Sequence, residues 1–267
     1  MRLFYLKTMA VAVLMSATAS HSASAGEDLS SFRVGEKSSG YVYAEPETRA
    51  MQADDFENPG ILWVDEGETL WSEVDGEAGK SCQSCHADPS ESMKQAGVSY
   101  PKFNKTLGKM QNLEQKINQC REENMKAKPF KYESSQLLGM TAYVRNQSHG
   151  MKVNVKIDGE AAPFFEKGKD FYYQRRGQMD LACKHCHEDN SGVMIRANRL
   201  SEGQSNGFPT YRLKWQKMGS LHRRFRGCNK NVRAKPYGYG SEEYVNLELY
   251  LNWRGNGLQV ETPAVRN

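Results

Sequence analysis

Histidine is scarce in this chain, with six in 267 residues, and one of the six, His21, lies among the first 25 residues. Long apolar runs are scarcer. Residues 9–15 are wholly apolar, and no later stretch approaches the roughly 20 residues that a membrane-spanning helix needs, so no span is expected. Charge of one sign is missing from two places. Residues 54–77 hold nine acidic and no basic side chains, whereas residues 211–240 hold nine basic and no acidic ones. The formal net charge is only +4, too small for the cationic footprint of a nucleic-acid binder.

What is present at the N-terminus has a processing logic. Arg2 and Lys7 precede the apolar run, and Ala23-Ser24-Ala25 offers small residues at a cleavage position, the pattern of a secretory signal peptide over residues 1–25. The mature chain is then expected to begin near Gly26 and to be soluble and periplasmic. Loss of Arg2 and Lys7 takes the charge from +4 to +2. The remaining length suits two compact cores of about 100 residues each.

All six cysteines, at 82, 85, 120, 183, 186 and 228, fall in this mature part. In an oxidising compartment an even count suggests disulfides, but the spacing points elsewhere. Cys82-Gln83-Ser84-Cys85-His86 and Cys183-Lys184-His185-Cys186-His187 both read C-x-x-C-H, in which two thiols attach covalently to a haem and the adjacent histidine ligates its iron. A redox dithiol does not require that histidine. A zinc site built from both pairs is the other competing reading. Two covalently bound haem c groups are the expectation.

The motifs sit in a repeat. A shift of 101 residues superposes Cys82 on Cys183, Gly67 on Gly168, Gly76 on Gly177, Asp65 on Glu166 and Trp71 on Tyr172. Each copy closes with apolar residues at helical spacing, Leu137, Met140 and Val144 behind Ser134 or Ser135, and Tyr244, Leu247 and Leu251 behind Ser241. Between them Met151, Val153, Val155 and Ile157 alternate with polar residues, as in a short extended connector. The expected fold is mainly α, with two class I cytochrome c-like domains related by an internal repeat. A polar surface extension would span 26–52, the first domain 53–150 and the second 151–267.

The sixth iron ligand is open at this point. Met93, Met110, Met125, Met194 and Met218 are available by position. One unassigned cysteine also remains in each half, Cys120 lying 34 residues after His86 and Cys228 lying 41 after His187. A Cys120–Cys228 disulfide is the alternative. Cys228 lies inside the acid-free basic stretch, where a positive field favours thiolate, the better ligand and nucleophile. Arg224 and Arg226 are nearest to it in sequence and offer planar donors to a sulfur oxyanion, whereas the other basic residues suit the docking of an acidic partner.

The segment Arg224-Phe225-Arg226-Gly227-Cys228-Asn229 after the second motif, with Ile117-Asn118-Gln119-Cys120-Arg121 and Leu137-Leu138-Gly139-Met140-Thr141-Ala142-Tyr143-Val144 after the first, resembles the SoxA family. That family supplies the catalytic subunits of the SoxAX cytochromes of bacterial thiosulfate oxidation. The resemblance extends over essentially the whole mature chain, and the complete first motif places it with the dihaem branch. It implies an L-cysteine S-thiosulfotransferase that joins thiosulfate to a cysteine of a SoxYZ-like carrier, with two electrons leaving through a SoxX-like small cytochrome c in a heterodimer. It also implies His86 and Cys120 as axial ligands of the first haem, and His187 and Cys228 of the second. Cys228, modified to a persulfide, and Arg224 would form the catalytic pair. A non-catalytic dihaem electron carrier and a dihaem cytochrome c peroxidase are the competing functions.

Overall fold

Two helix crossings organise the chain, and each depends on a glycine. The structure is a computed structural model that describes residues 27–267; the expected signal peptide lies outside the described residues. In chain order the helices are α1 (Pro46–Ala53), α2 (Ile61–Ser72), α3 (Gln83–His86), α4 (Pro89–Ser92), α5 (Ala96–Ser99), α6 (Leu113–Cys120), α7 (Ser135–Asn146), α8 (Ala162–Tyr173), α9 (Cys183–His187), α10 (Leu221–Asn231) and α11 (Glu242–Arg254). The apolar spacings read from the sequence become α7 and α11. Ser134 caps the first by accepting from Leu137 N–H, and Ser241 caps the second by accepting from Tyr244 N–H.

Helix α2 crosses α7, and α8 crosses α11. A Cβ on Gly67 would strike the backbone of Gly139, and one on Gly168 would strike the backbone of Asn246. Positions 101 residues apart behave alike elsewhere too. The bridges Asp75–Lys80 and Arg176–Leu181 close equivalent loops ahead of the C-x-x-C-H helices. Gly76 and Gly177, at φ +73° and +66°, turn those loops against the backbone at 125–127 and 232–234.

The halves interlock through two hairpins. Strands β1 (Lys102–Asn104) and β2 (Lys109–Gln111) pair antiparallel, with Phe103 opposite Met110. Strands β3 (Thr210–Arg212) and β4 (Lys217–Gly219) do the same, with Tyr211 opposite Met218, and β5 (Ala264–Arg266) adds to β3 in parallel. Each hairpin serves the other half. Met110 belongs to the same buried cluster as Phe165, Tyr172 and Leu247 of the second half, whereas Met218 belongs to that of Val64, Leu138 and Tyr143 of the first. Ring contacts repeat the exchange, Phe103 with Phe164 at 5.8 Å and Tyr211 with Trp63 at 5.7 Å.

The connector is extended, with Val153 and Val155 inward, and it pairs with residues 257–260 through bonds such as Val153 N–H to Leu258 O at 2.8 Å. The residues before α2 lie against the second half. Tyr41 and Ser39 are buried, Tyr43 Oη donates to Glu202 at 2.9 Å, and Thr48 Oγ1 donates to Asn267 at 2.9 Å. Residues 39–48 are therefore anchored by the second half.

Candidate haem centres and the cationic thiol

The second C-x-x-C-H motif folds as the single-turn helix α9, which brings Cys183 and Cys186 to one face and His187 to its end. His185, between them, serves the helix itself, because its Nδ1 accepts from Ala182 N–H at 2.9 Å. His187 is held from behind, with Nδ1 2.8 Å from Ser201 O. That bond places the ring proton on Nδ1 and leaves Nε2 free to ligate a metal. Gly203, at φ +72°, lets the Ser201 loop approach; a Cβ there would lie 2.9 Å from the imidazole.

Helix α10 brings Cys228 to this point. Its Ser220 cap accepts from Arg223 N–H, and the thiol, one turn from the helix end, comes within the electrostatic reach of His187. Burial raises the thiol pKa. The Arg224 guanidinium, His187 and Arg212 outweigh that effect and bring it down to about 6. Burial, with the neighbouring Cys228, pushes Cys183 up to about 12 and also raises Cys186. The second motif and Cys228 therefore converge. One imidazole nitrogen facing one low-pKa thiol, with two further thiols beside them, is the donor set that a covalently held haem requires, and these residues fit it.

The sequence pointed to two arginines, and the structure separates them. Arg224 lies one helical turn from Cys228 and faces it, and among the described residues it forms no ion pair with a carboxylate. Arg226 turns away, donating to Tyr237 O and lying over the Tyr239 ring at 4.8 Å. Arg223 is also committed elsewhere, 3.7 Å from Glu133 and over the Trp215 ring at 4.3 Å. Arg212, on β3, is a contributor that sequence reading did not single out. It lies in the field of Arg224 and Cys228, and burial first, then Arg224, lowers its pKa to about 10. Only the hairpin brings it there.

The first motif gives α3, with Cys82 at its N-cap and His86 at its end, the His86 ring 5.9 Å from that of Trp71. Cys120 ends α6, and the chain continues through a wider π turn over Arg121–Met125. The Cys82 thiol is raised by burial and senses both Arg121 and Cys120. Here the cation is neutralised. Arg121 Nη2 pairs with Asp75 at 2.5 Å and the guanidinium lies over Phe130 at 3.5 Å. In the second half Arg176 stands at the place of Asp75, and its charge acts on Cys183.

All six cysteines are unbridged, so the alternative Cys120–Cys228 disulfide is absent. Of the candidate methionine ligands, Met110 and Met218 are consumed in the exchanged cores, Met125 is buried in the π turn, and Met194 is exposed. Met93 packs beside the first core.

These centres lie in a mainly helical cytochrome c architecture. The family described as "SoxA/TsdA, cytochrome c domain" matches residues 66–153. A protein of Pseudaminobacter salicylatoxidans named L-cysteine S-thiosulfotransferase subunit SoxA is 49% identical over 85% of this chain and 80% of its own. Its namesake from Rhodovulum sulfidophilum is 44% identical over 88% and 82%. The crystal structure of SoxXA from P. pantotrophus superposes with a TM-score of 0.83 at 44% identity, covering 86% of this chain and 87% of the other. The chain belongs to the SoxA family.

Proposed function

We propose that this chain is the catalytic subunit of a thiosulfate-oxidising cytochrome complex, an L-cysteine S-thiosulfotransferase, built from two class I cytochrome c domains related by an internal repeat. The names of its relatives support the activity. The paired glycine crossings and the equivalent loops at Gly76 and Gly177 support the repeat. The observation that carries the reading to a site is the half-buried Cys228 thiol, beside His187 and facing Arg224, which has no carboxylate partner among the described residues.

The reaction joins a carrier thiol and thiosulfate as a cysteine S-thiosulfonate. One S–S bond forms, one proton leaves the thiol, and two electrons are released. Cys82 with Cys85 and Cys183 with Cys186 would hold haem c, which would supply one-electron acceptors. The chain supplies the rest. Ser201 and Gly203 orient His187, Cys228 offers a sulfur that is both ligand and nucleophile, and its persulfide form would extend that sulfur outward. Arg224, with Arg212 behind it, offsets the repulsion between two anionic sulfur reactants and holds the sulfonate end. His86 and Cys120, beside a neutralised Arg121, form an electron site rather than a reaction site.

The partners follow from this assignment. They are a SoxX-like small cytochrome c in a heterodimer, as in the SoxXA structure, a SoxYZ-like carrier, and thiosulfate. Export to the periplasm behind a signal peptide over residues 1–25 completes the proposal, and among the described residues no helix is long and apolar enough to cross a membrane. The test is coupling of thiosulfate to a carrier cysteine, followed by mass. Haem-loaded Cys228→Met is expected to remain six-coordinate and to lose conjugation. Near-normal conjugation would return the electron-carrier reading to first place, and peroxide consumption by the unaltered protein would favour the peroxidase.

A further inference from the structure

Six residues before each leftover cysteine, near the start of the same helix, stands a titratable side chain: Glu114 before Cys120 on α6 and His222 before Cys228 on α10. The repeat brings them together between the halves, beside Arg145 of α7 and Glu248 of α11. All four are buried, Glu114 at 9%, Arg145 at 6%, His222 at 2% and Glu248 at 8% relative exposure. Three of them, Glu114, Arg145 and Glu248, line a cavity of about 10 Å³, room for a single water, together with Thr141, Ser205 and Asn252.

The charges in this cluster do not cancel. His222 Nδ1 accepts from Gly240 N–H at 3.0 Å, so the ring carries its proton on Nε2, 3.1 Å from Glu248 Oε2 though out of line for a hydrogen bond. Glu248 Oε2 accepts from Asn112 Nδ2 at 3.0 Å. Arg145 is the cation of the cluster; its Nε donates weakly to Thr262 Oγ1 at 3.4 Å, and its Nη2 has no partner among the described residues. Tyr132, stacked on His222 with centroids 6.4 Å apart, remains a neutral phenol because burial and both carboxylates raise its pKa. Two carboxylates thus share one guanidinium. With both ionised, a net negative charge would be left in the interior, at a cost of several kcal/mol by the usual desolvation penalty.

We propose that Glu114 is a proton-binding site linked to the redox state of the irons, binding its proton more tightly once the chain has taken up an electron. When that proton is bound the step balances, since ferric iron becomes ferrous, the Glu114 carboxylate becomes a carboxylic acid, and the interior keeps its charge. Burial, with Glu248 adding to it, holds the Glu114 pKa up at about 7, where such exchange occurs near neutrality. Six residues of helix place the carboxylate roughly 9 Å along the axis from the Cys120 position, and His222 stands likewise to Cys228. A unit charge at that separation in a partly screened interior changes proton affinity by about tenfold. This inference rests on Cys120 and Cys228 as the iron ligands.

The test is a spectroelectrochemical titration of the haem-loaded full chain at a series of pH values from about 5 to 9, reduced with dithionite. A tenfold affinity ratio corresponds to about 59 mV in midpoint potential, with the potential falling as pH rises through neutrality. Glu114→Gln, which keeps shape and removes the proton site, is expected to flatten that dependence while leaving the haem spectra unchanged. An unaltered slope in Glu114→Gln would assign it to other groups and overturn the proposal. Redox-difference infrared spectra of the unaltered protein give an independent readout. A protonated-carboxyl band should grow on reduction, its absence would overturn the proposal, and this measurement decides alone if the variant fails to load haem. Changed axial-ligand spectra in Cys120→Met or Cys228→Met report on the ligand assignment separately.

Discussion

At the residue scale, the two leftover cysteines differ in what neutralises the cation nearby. Arg121 beside Cys120 is locked onto Asp75 and Phe130, whereas Arg224 faces Cys228 with no carboxylate partner among the described residues. Arg224→Lys keeps the charge and loses the planar fork, so turnover should fall tenfold or more, by about 1.4 kcal/mol or above in the barrier, with intact haem spectra. Arg226→Lys is the control and should change turnover little, because Arg226 serves Tyr237 and Tyr239. The measurement is the rate of carrier conjugation for each variant. Cys120→Met should shift one haem potential and leave conjugation largely intact, and alkaline pyridine haemochrome analysis should find two c-type haems per chain. Much of this site was legible in the sequence, for physical reasons. Covalent attachment fixes the spacing of four cysteines and two histidines, and Arg224 is four residues from Cys228, one helical turn away. Arg226 misled because two residues of helix rotate a side chain to another face. Arg212 and Ser201 could not be read, since one reaches the thiol only through a hairpin and the other reaches His187 only through a loop that turns at Gly203.

At the scale of elements, α7 and α11 were legible because helical spacing and serine caps are local signals. The exchanged hairpins were not. Strands of three residues carry too little pattern, and the partner of Met110 or Met218 is set by tertiary packing. The exchange makes a prediction about cooperativity. Met218 is fully buried in the first core although it comes from the second half, so Met218→Ala should cost about 2–5 kcal/mol and destabilise both halves. Calorimetry should show one transition for the haem-loaded chain and its variant; separate transitions for the two halves would contradict the interlock. At the helix crossings there is no room for a methyl group. Gly67→Ala and Gly168→Ala should each cost about 1–3 kcal/mol or more, measured by denaturant unfolding, because the added Cβ meets backbone rather than a movable side chain.

At the scale of the whole molecule, an acidic stretch at 54–77 and a basic stretch at 211–240 give the halves opposite character, and the buried Glu114 cluster lies where they meet. That position makes stability depend on pH in a defined direction. Burial, then Glu248, raises the Glu114 pKa from 4.5 to about 7, so between those values the folded chain binds a proton that the unfolded chain has released. Stability therefore falls as pH rises through this window and levels off above it, the cluster contributing about 3 kcal/mol to the change. Asp75 contributes with the opposite sign, because the bond from Arg121 lowers its pKa and that stabilisation is lost as pH falls through the lowered value. The two effects occupy separate ranges, Asp75 below the ordinary carboxylate range and Glu114 above it. Glu114→Gln removes only the upper one. Denaturant unfolding of the haem-loaded chain at fixed pH values should show the variant gaining on the unaltered protein from about pH 5 to 7 and holding that gain at higher pH. A difference between the two proteins that does not vary with pH would mean that Glu114 is ionised throughout, with its charge neutralised by Arg145.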